Sequence, residues 1–397
     1  MSILWLDEVE SDQLSGKNVL CRVDFNVPID TEGNILDAQR IELAIPSIRK
    51  LLRANAKVVI ISHLGRPKAK VRPALSLQPV ADYLRDLLNQ EVIFVHDCVG
   101  DGVSRIISNA PPASLIMLEN LRFHGGEEKN DPVFAKMLAR GMDFYIDDAF
   151  GAVHRAHAST VGVAKFFEKP MGGLLLKKEL KAFDKLLYHA DRPFVAIVGG
   201  AKVSSKIGVL TQLVKKVDAL IIGGAMAYTF LKAQGFEVGV SMVENDKLMQ
   251  ASNLLRKAQE LGVKIYLPTD HVVARAQDQS DIKVVASGEF APTQAGFDIG
   301  PQSRAEFCGV IKRAETVFLN GPLGMCEVEA FSHGTAEIMN ALAHTQGYTV
   351  VGGGDSIAAL KHAGLVEKID FVSSGGGAAL ELLEGKVLPG LEALGFY

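Results

Sequence analysis

The chain has little of what marks secreted, membrane-spanning or nucleic-acid-binding proteins. Its 397 residues include four cysteines, Cys21, Cys98, Cys308 and Cys326, widely scattered and without a C-x-x-C pair. That spacing predicts neither a disulfide framework nor a zinc site, and points to buried free thiols in a reducing cytoplasm. Neither sign of charge dominates: 42 Lys+Arg against 46 Asp+Glu leave a formal charge of −4. Nucleic acid therefore meets no general attraction, and whatever the arginines bind is local. The longest apolar stretch without charge, Ala219 to Leu231, falls well short of the roughly 18 residues of a membrane span. The opening MSILWLDEVE is acidic and lacks the basic, apolar and cleavage regions of a signal peptide. There is no fixed-period repeat, no low-complexity tract, no G-x-x-x-x-G-K-[ST] loop, and no strand that opens into G-x-G-x-x-G.

What is present is a rhythm of short β-rich runs, polar or glycine loops, and longer helical patterns. The first half carries VLCRVDF (19–25), KVVIISH (57–63), VIFVHD (92–97), SLIMLEN (114–120) and DFYIDD (143–148). The second carries PFVAIVGG (193–200), DALIIGG (218–224), KIYLPTD (264–270), TVFLNGP (316–322), YTVVGGG (348–354) and DFVSSGG (370–376). Nearly continuous apolar runs suit parallel strands covered on both faces. The alternation predicts an α/β protein of two doubly wound, Rossmann-like parallel-sheet domains; a helix is expected to join them, with an active-site cleft between them, although an ordinary surface helix fits the same pattern equally well. The boundary is placed after Gly172 and Gly173, where LLLKKELKAFDKLL puts Leu176, Leu180, Phe183 and Leu187 on one face. The expected domains are 1–173 and 174–380, with 381–397 returning to the first; the glycine pair and the helix are the candidate hinge.

Two kinds of anion-binding equipment sit at the strand ends, segregated by half. The first half offers Arg40, Arg66, Arg122 and Arg155, with Asp24, Asn26, His63 and His154 beside them. A lone loop arginine is ordinarily solvated. Recurrence at four strand ends turns the set into a candidate site, because guanidinium grips a discrete phosphate or carboxylate in bidentate fashion. The histidines are read as donors to such an anion rather than as general bases. The second half ends its runs in VGGAKVSSK, GGGDS and SSGGGA. Bare amides at helix starts suit a polyphosphate, and Lys202 and Lys206, four apart, are expected on one helical face. Asp355 is a candidate Mg²⁺ ligand, although a tight turn explains GGGDS equally well. Ligands of open α/β sheets bind beyond the carboxyl ends of strands.

RVDFNVP, SHLGRP, LENLRF, DDAFGAVHRAHAS, GGAKVSSKI, NGPLG, GGGDS and VSSGGGAALELLEGKVLPG occur in the order and approximate spacing of the phosphoglycerate kinases. The resemblance covers essentially the whole chain and is similar in length to the bacterial form. Ala225, Phe318-Leu319 and Met325-Cys326 depart from the residues usual at those places. The resemblance implies direct in-line phosphoryl transfer between 1,3-bisphosphoglycerate and ADP, giving 3-phosphoglycerate and ATP, with domain closure, in a cytoplasmic monomer. By the same resemblance Asp24, Phe25, Asn26, Arg40, His63, Leu64, Gly65, Arg66, Arg122 and Arg155 bind the triose. Lys202, Lys206, Asn320, Pro322, Glu327, Gly353, Gly354, Asp355 and Ser356 bind ATP or ADP with Mg²⁺, which Asp355 ligates. Arg40, Lys202 and Gly376, within the amides Gly375 to Gly377, carry the catalytic roles. The rivals are another carboxylate-activating kinase or ligase, a nicotinamide dehydrogenase, and a non-catalytic scaffold. The first would lack a cluster for a remote phosphate, and the second would carry G-x-G-x-x-G.

Overall fold

A computed structural model describes residues 3–276 and 279–397. The chain forms two compact units, one reaching to Lys181 and including Val387–Tyr397, the other spanning Ala182–Lys386.

The first unit is built on seven strands: β1 (Leu4–Trp5), β2 (Asn18–Arg22), β3 (Lys57–Ile61), β4 (Val92–Val95), β5 (Leu115–Leu118), β6 (Phe144–Asp147) and β7 (Met171–Gly172). They lie in the order β1-β7-β6-β2-β3-β5-β4, every pair parallel. Val19, Leu20, Cys21 and the run Val58–Ile61 are fully buried, as strands covered on both faces should be. Over one face packs the helix Gln39–Arg53, which buries Ile41, Ala44, Ile45, Ile48 and Leu51 at helical spacing and carries Arg40 in its first turn.

The second unit holds β8 (Phe194–Val198), β9 (Ala219–Ile222), β10 (Lys264–Tyr266), β11 (Asp270–Arg275), β12 (Lys283–Ala286), β13 (Gln294–Ile299), β14 (Thr316–Asn320), β15 (Tyr348–Gly352) and β16 (Phe371–Val372). Six form a parallel sheet in the order β10-β9-β8-β14-β15-β16. The other three make an antiparallel sheet, β12-β11-β13, which the strand-helix alternation does not predict. The run KIYLPTD, read as one strand, ends at Tyr266 because Pro268 has no N–H for a ladder. The chain then enters the second sheet at Asp270.

The helix Leu174–Tyr188 buries Leu176, Leu180 and Phe183, with Leu187 partly covered. The division between units falls within it, between Lys181 and Ala182. At the far end of the chain Leu388, Leu391 and Leu394 are buried in the first unit, where Gly390 N donates to Val153 O at 2.8 Å. Among the described residues no helix is long and apolar enough to cross a membrane.

Candidate active site

In the first unit the chain runs from β2 to β3 on one side and returns to β6 on the other, so strand order reverses at β2. The carboxyl ends on either side of such a reversal form the natural ligand crevice. Arg22, Ile61 and Asp147 stand in register at those ends, and the loops that follow carry the polar groups. Arg40 Nη1 reaches Asp24 Oδ2 at 3.1 Å and the carbonyl of Asn26 at 3.2 Å. Asn26 Oδ1 accepts from Gly65 N at 2.8 Å, while Arg122 Nη1 donates to Gly65 O at 2.7 Å. Gly65 has φ +60, a conformation that side chains rarely adopt, and a Cβ there would press on Leu75 Cδ2 at 2.8 Å, so the tight loop favours glycine. Arg155 Nε donates to His154 Nε2 at 3.1 Å.

His63 lies at the centre of this set and is buried. Burial, and then the charges of Arg22, Arg122, Arg155 and Arg40, hold its pKa well below the usual 6.5. It is therefore neutral at pH 7, a hydrogen-bonding group among cations and not a cation itself. Burial and Arg122, Arg22 and Arg155 likewise push His157 down to about 4. Burial, then Arg155, lowers Arg122 itself to about 10. Groups so arranged repel one another and gain when an anion enters.

Arg22, the first residue of RVDFNVP and not among the expected site residues, is fully buried. Its Nε donates to Ser159 Oγ at 2.9 Å, Nη2 lies 3.1 Å from His63 Nδ1, and Nη1 donates to the Val23 carbonyl. Ser159 in turn donates to the buried Glu127, Oγ to Oε1 at 2.6 Å and N to Oε2 at 3.0 Å. The chain Glu127–Ser159–Arg22–His63 joins residues more than a hundred positions apart, and no local pattern announces it. Phe25 and Leu64 have their side chains in the hydrophobic core, which leaves only main chain to meet a ligand. Arg66 is exposed and without a protein partner among the described residues.

The second unit repeats the logic with glycine. Strand order reverses between β8 and β14. Val198, Asn320 and Gly352 stand in register, and soon after them come Gly200, Gly321 and Gly353 with φ of +113, +97 and +92. A Cβ at Gly321 would lie 2.3 Å from Gly199 O and 2.5 Å from Lys206 Nζ, so the backbones are packed too closely for any side chain. Lys206 Nζ donates to Asn320 Oδ1 at 2.6 Å and Asn320 O at 2.9 Å. Burial lowers its pKa to about 8, against the pull of Asp355. Ser356 is buried and spends its hydroxyl on Gly321 N at 2.7 Å, which makes it a fastener of the loop. Pro322 O accepts from Gly200 N at 2.9 Å.

The expectation that Lys202 and Lys206 share a helical face is corrected. Lys202 precedes a 3₁₀ turn, Val203–Ser205, and Lys206 follows it with φ −130, ahead of the helix Ile207–Leu213. One lysine is exposed and the other half-buried. Among the described residues no hydrogen bond or ion pair ties Lys202, Glu327 or Gly376 to the Lys206–Asn320 pair; Glu327 is exposed in a turn and Gly376 has φ +50. The cysteine expectation also needs adjusting: all four are free, but Cys308 and Cys326 are half-buried.

Asp355 is an exposed carboxylate in the first turn of the helix Gly354–His362, with Gly353 ahead of it. Nearby, the buried Asn320 Nδ2 has no protein partner. Among the described residues no group of three ligating side chains includes Asp355. One carboxylate beside a set of amide and ammonium donors fits Mg²⁺, which takes most of its oxygens from phosphates and water.

The phosphoglycerate kinase family model matches residues 8–386. A phosphoglycerate kinase of Anaeromyxobacter dehalogenans is 49% identical over 391 residues, 98% of this chain and 99% of its own. That of Moorella thermoacetica is 49% identical over 395 residues, 99% of each chain. Among solved structures, phosphoglycerate kinase from Coxiella burnetii superposes with a TM-score of 0.89 at 39% identity, and that from Pyrococcus horikoshii OT3 with 0.82 at 29%, each covering 99% of both chains.

Proposed function

The chain belongs to the phosphoglycerate kinase family, and from that premise we propose how its two units divide the family's reaction, 1,3-bisphosphoglycerate and ADP giving 3-phosphoglycerate and ATP. The arginine cluster of the first unit takes the triose through Asp24, Asn26, Arg40, His63, Arg66, Arg122 and Arg155, with the main chain of Phe25, Leu64 and Gly65. The glycine strand ends of the second take the nucleotide through Lys202, Lys206, Asn320, Pro322, Glu327, Gly353, Gly354, Asp355 and Ser356. Asp355 would hold Mg²⁺, which when bound neutralises charge on phosphate oxygens.

The observation that carries this reading is the convergence of four guanidinium charges on one buried, neutral histidine. In the ATP-consuming direction the nucleophile is a carboxylate, ionised at neutral pH because its pKa is near about 4. No residue need act as a base. The work is to bring two polyanions together and neutralise the equatorial oxygens in flight, a task for Arg40, Lys202 and the amides of Gly375 to Gly377. Transfer is direct and in line. It requires the reacting atoms within about 3–3.5 Å and free of bulk water, so the units close on their two ligands, with the segment at Gly172-Gly173 as the hinge. Small-angle scattering that found equal compactness with neither and with both ligands would remove closure from the scheme. The reading extends to a cytoplasmic monomer; four free thiols suit a reducing compartment, and sedimentation checks the monomer.

Binding measured for each ligand separately tests the division. Arg122→Ala should weaken 3-phosphoglycerate by about tenfold or more, the scale of a charge-assisted hydrogen bond, and leave MgADP nearly unchanged. The opposite pattern would refute it.

A further inference from the structure

The cysteine spacing promises no metal site, yet three kinds of metal-ligating side chain meet at one edge of the first unit. Asp97 and Cys98 follow β4, and His124 ends the turn after the neighbouring β5. One ligand atom from each lies within 4.8 Å of the other two, the only such group of His, Cys, Asp and Glu among the described residues. Asp97 folds back so that its Oδ1 accepts from Cys98 N at 2.6 Å and sits 2.8 Å from His124 Nε2. The imidazole is held flat against Phe134, ring centroids 5.0 Å apart at 25°. Cys98 Sγ lies 2.9 Å from the Glu119 carbonyl, buried beneath a half-exposed histidine and an exposed aspartate.

Sulfur, imidazole nitrogen and carboxylate oxygen, brought together where Asp97 is exposed and His124 half-exposed, are the donors of a zinc centre with three protein ligands. Mg²⁺ prefers oxygen alone, so this is not a second place for the ion assigned to Asp355. We propose that Asp97, Cys98 and His124 form a binding site for Zn²⁺ or a similar borderline metal, with water as the fourth ligand. On binding, the Cys98 thiol gives up its hydrogen bond to the Glu119 carbonyl, its proton leaves to solvent and a sulfur–metal bond forms. The Asp97–His124 hydrogen bond gives way to two metal bonds, and no electrons are transferred. Because His124 follows two residues after Arg122, the metal would anchor the end of the turn that carries a triose-site guanidinium.

The full-length chain, stripped of metal, should take up one Co²⁺ with a thiolate-to-cobalt charge-transfer band, displaced by Zn²⁺ and unaffected by excess Mg²⁺. Cys98→Ser should abolish the band, while Cys308→Ser and Cys326→Ser should leave it intact. Asp97→Asn and His124→Gln should each weaken Co²⁺ binding by about tenfold or more, the loss typical of a disturbed metal shell. Absence of the band, or its survival in Cys98→Ser, overturns the proposal. Since Cys98 is buried and its variant carries a folding risk, His124→Gln at a half-exposed position decides independently: unchanged Co²⁺ affinity there also overturns it.

Discussion

Arg40 is bound to Asp24 and Asn26 yet about a third exposed, so its guanidinium is held in place with room left for an anion. Arg40→Ala should reduce kcat by about a hundredfold or more, the scale of losing one preorganised donor. A raised KM with near-normal kcat would instead assign it to uniform binding. Asp147 and Asp148, side by side at the end of β6, present a different problem. Burial raises them from 3.8 to about 7 and about 6, with Arg22 opposing for the first and Ser47 for the second. The folded state then holds more protons than the unfolded state between about pH 4 and 7, so their contribution to stability falls as pH rises through that window and is level above it. His63 and His157, shifted the other way, lose stability as pH falls below 6.5. The difference between wild type and Asp148→Asn isolates the carboxyl: the wild type's thermal midpoint relative to the variant's should fall from pH 4 to 6. Asn preserves the acceptor for Leu176 N, which Asp148 Oδ1 engages at 3.0 Å. A Cβ at the neighbouring Gly173 would fall 2.2 Å from Asp148 Cγ, so that glycine makes room for the carboxyl.

Among the elements, the turn Asn120–His124 shows how a strand end becomes a site. Asn120 is fully buried; its Nδ2 donates to Leu64 O and Leu75 O at 2.7 and 2.9 Å, and its Oδ1 accepts from Arg122 N at 3.1 Å. Glu119 Oε1 takes Leu77 N at 2.9 Å and so pins the facing loop. Asn120→Ala would strand these buried main-chain groups and should cost about 2–4 kcal/mol in urea unfolding, given about 1–3 kcal/mol for each unsatisfied group. It should also raise KM for 3-phosphoglycerate by loosening Arg122. A variant as stable as wild type with an unchanged KM would show the turn to be held by its strands alone. The motif LENLRF points to this turn in the sequence because the arginine is visible there. That the asparagine holds it is not visible, since its partners Leu64 and Leu75 lie far upstream.

For the whole molecule, the chain leaves the first unit at Lys181 and returns to it at Val387. Leu388 and Leu391 are fully buried there, and the Gly390–Val153 bond ends next to His154 and Arg155. Deleting 387–397 should lower the first unit's stability by several kcal/mol, at about 1.5–3 kcal/mol per buried leucine, and weaken triose binding through Arg155. Equal thermal midpoints for the two forms would show the segment to be an appendage. Closure of the chain on itself in this way makes local truncation a global matter.

The sequence by itself determined the alternating strands and helices, the parallel sheets, and the placing of arginine loops at the strand ends of one half and glycine loops at those of the other. Those follow from hydrophobic periodicity and from what glycine and arginine each do locally. Tertiary structure alone decided that Arg22 is a buried cation beneath His63, that Lys206 bonds Asn320 while Lys202 stays in solvent, and that residues 270–299 leave the parallel sheet. It also brought Asp97 and Cys98 to His124. Each of these depends on which distant segments share a desolvated space, and burial and charge act across that space whatever the distance along the chain.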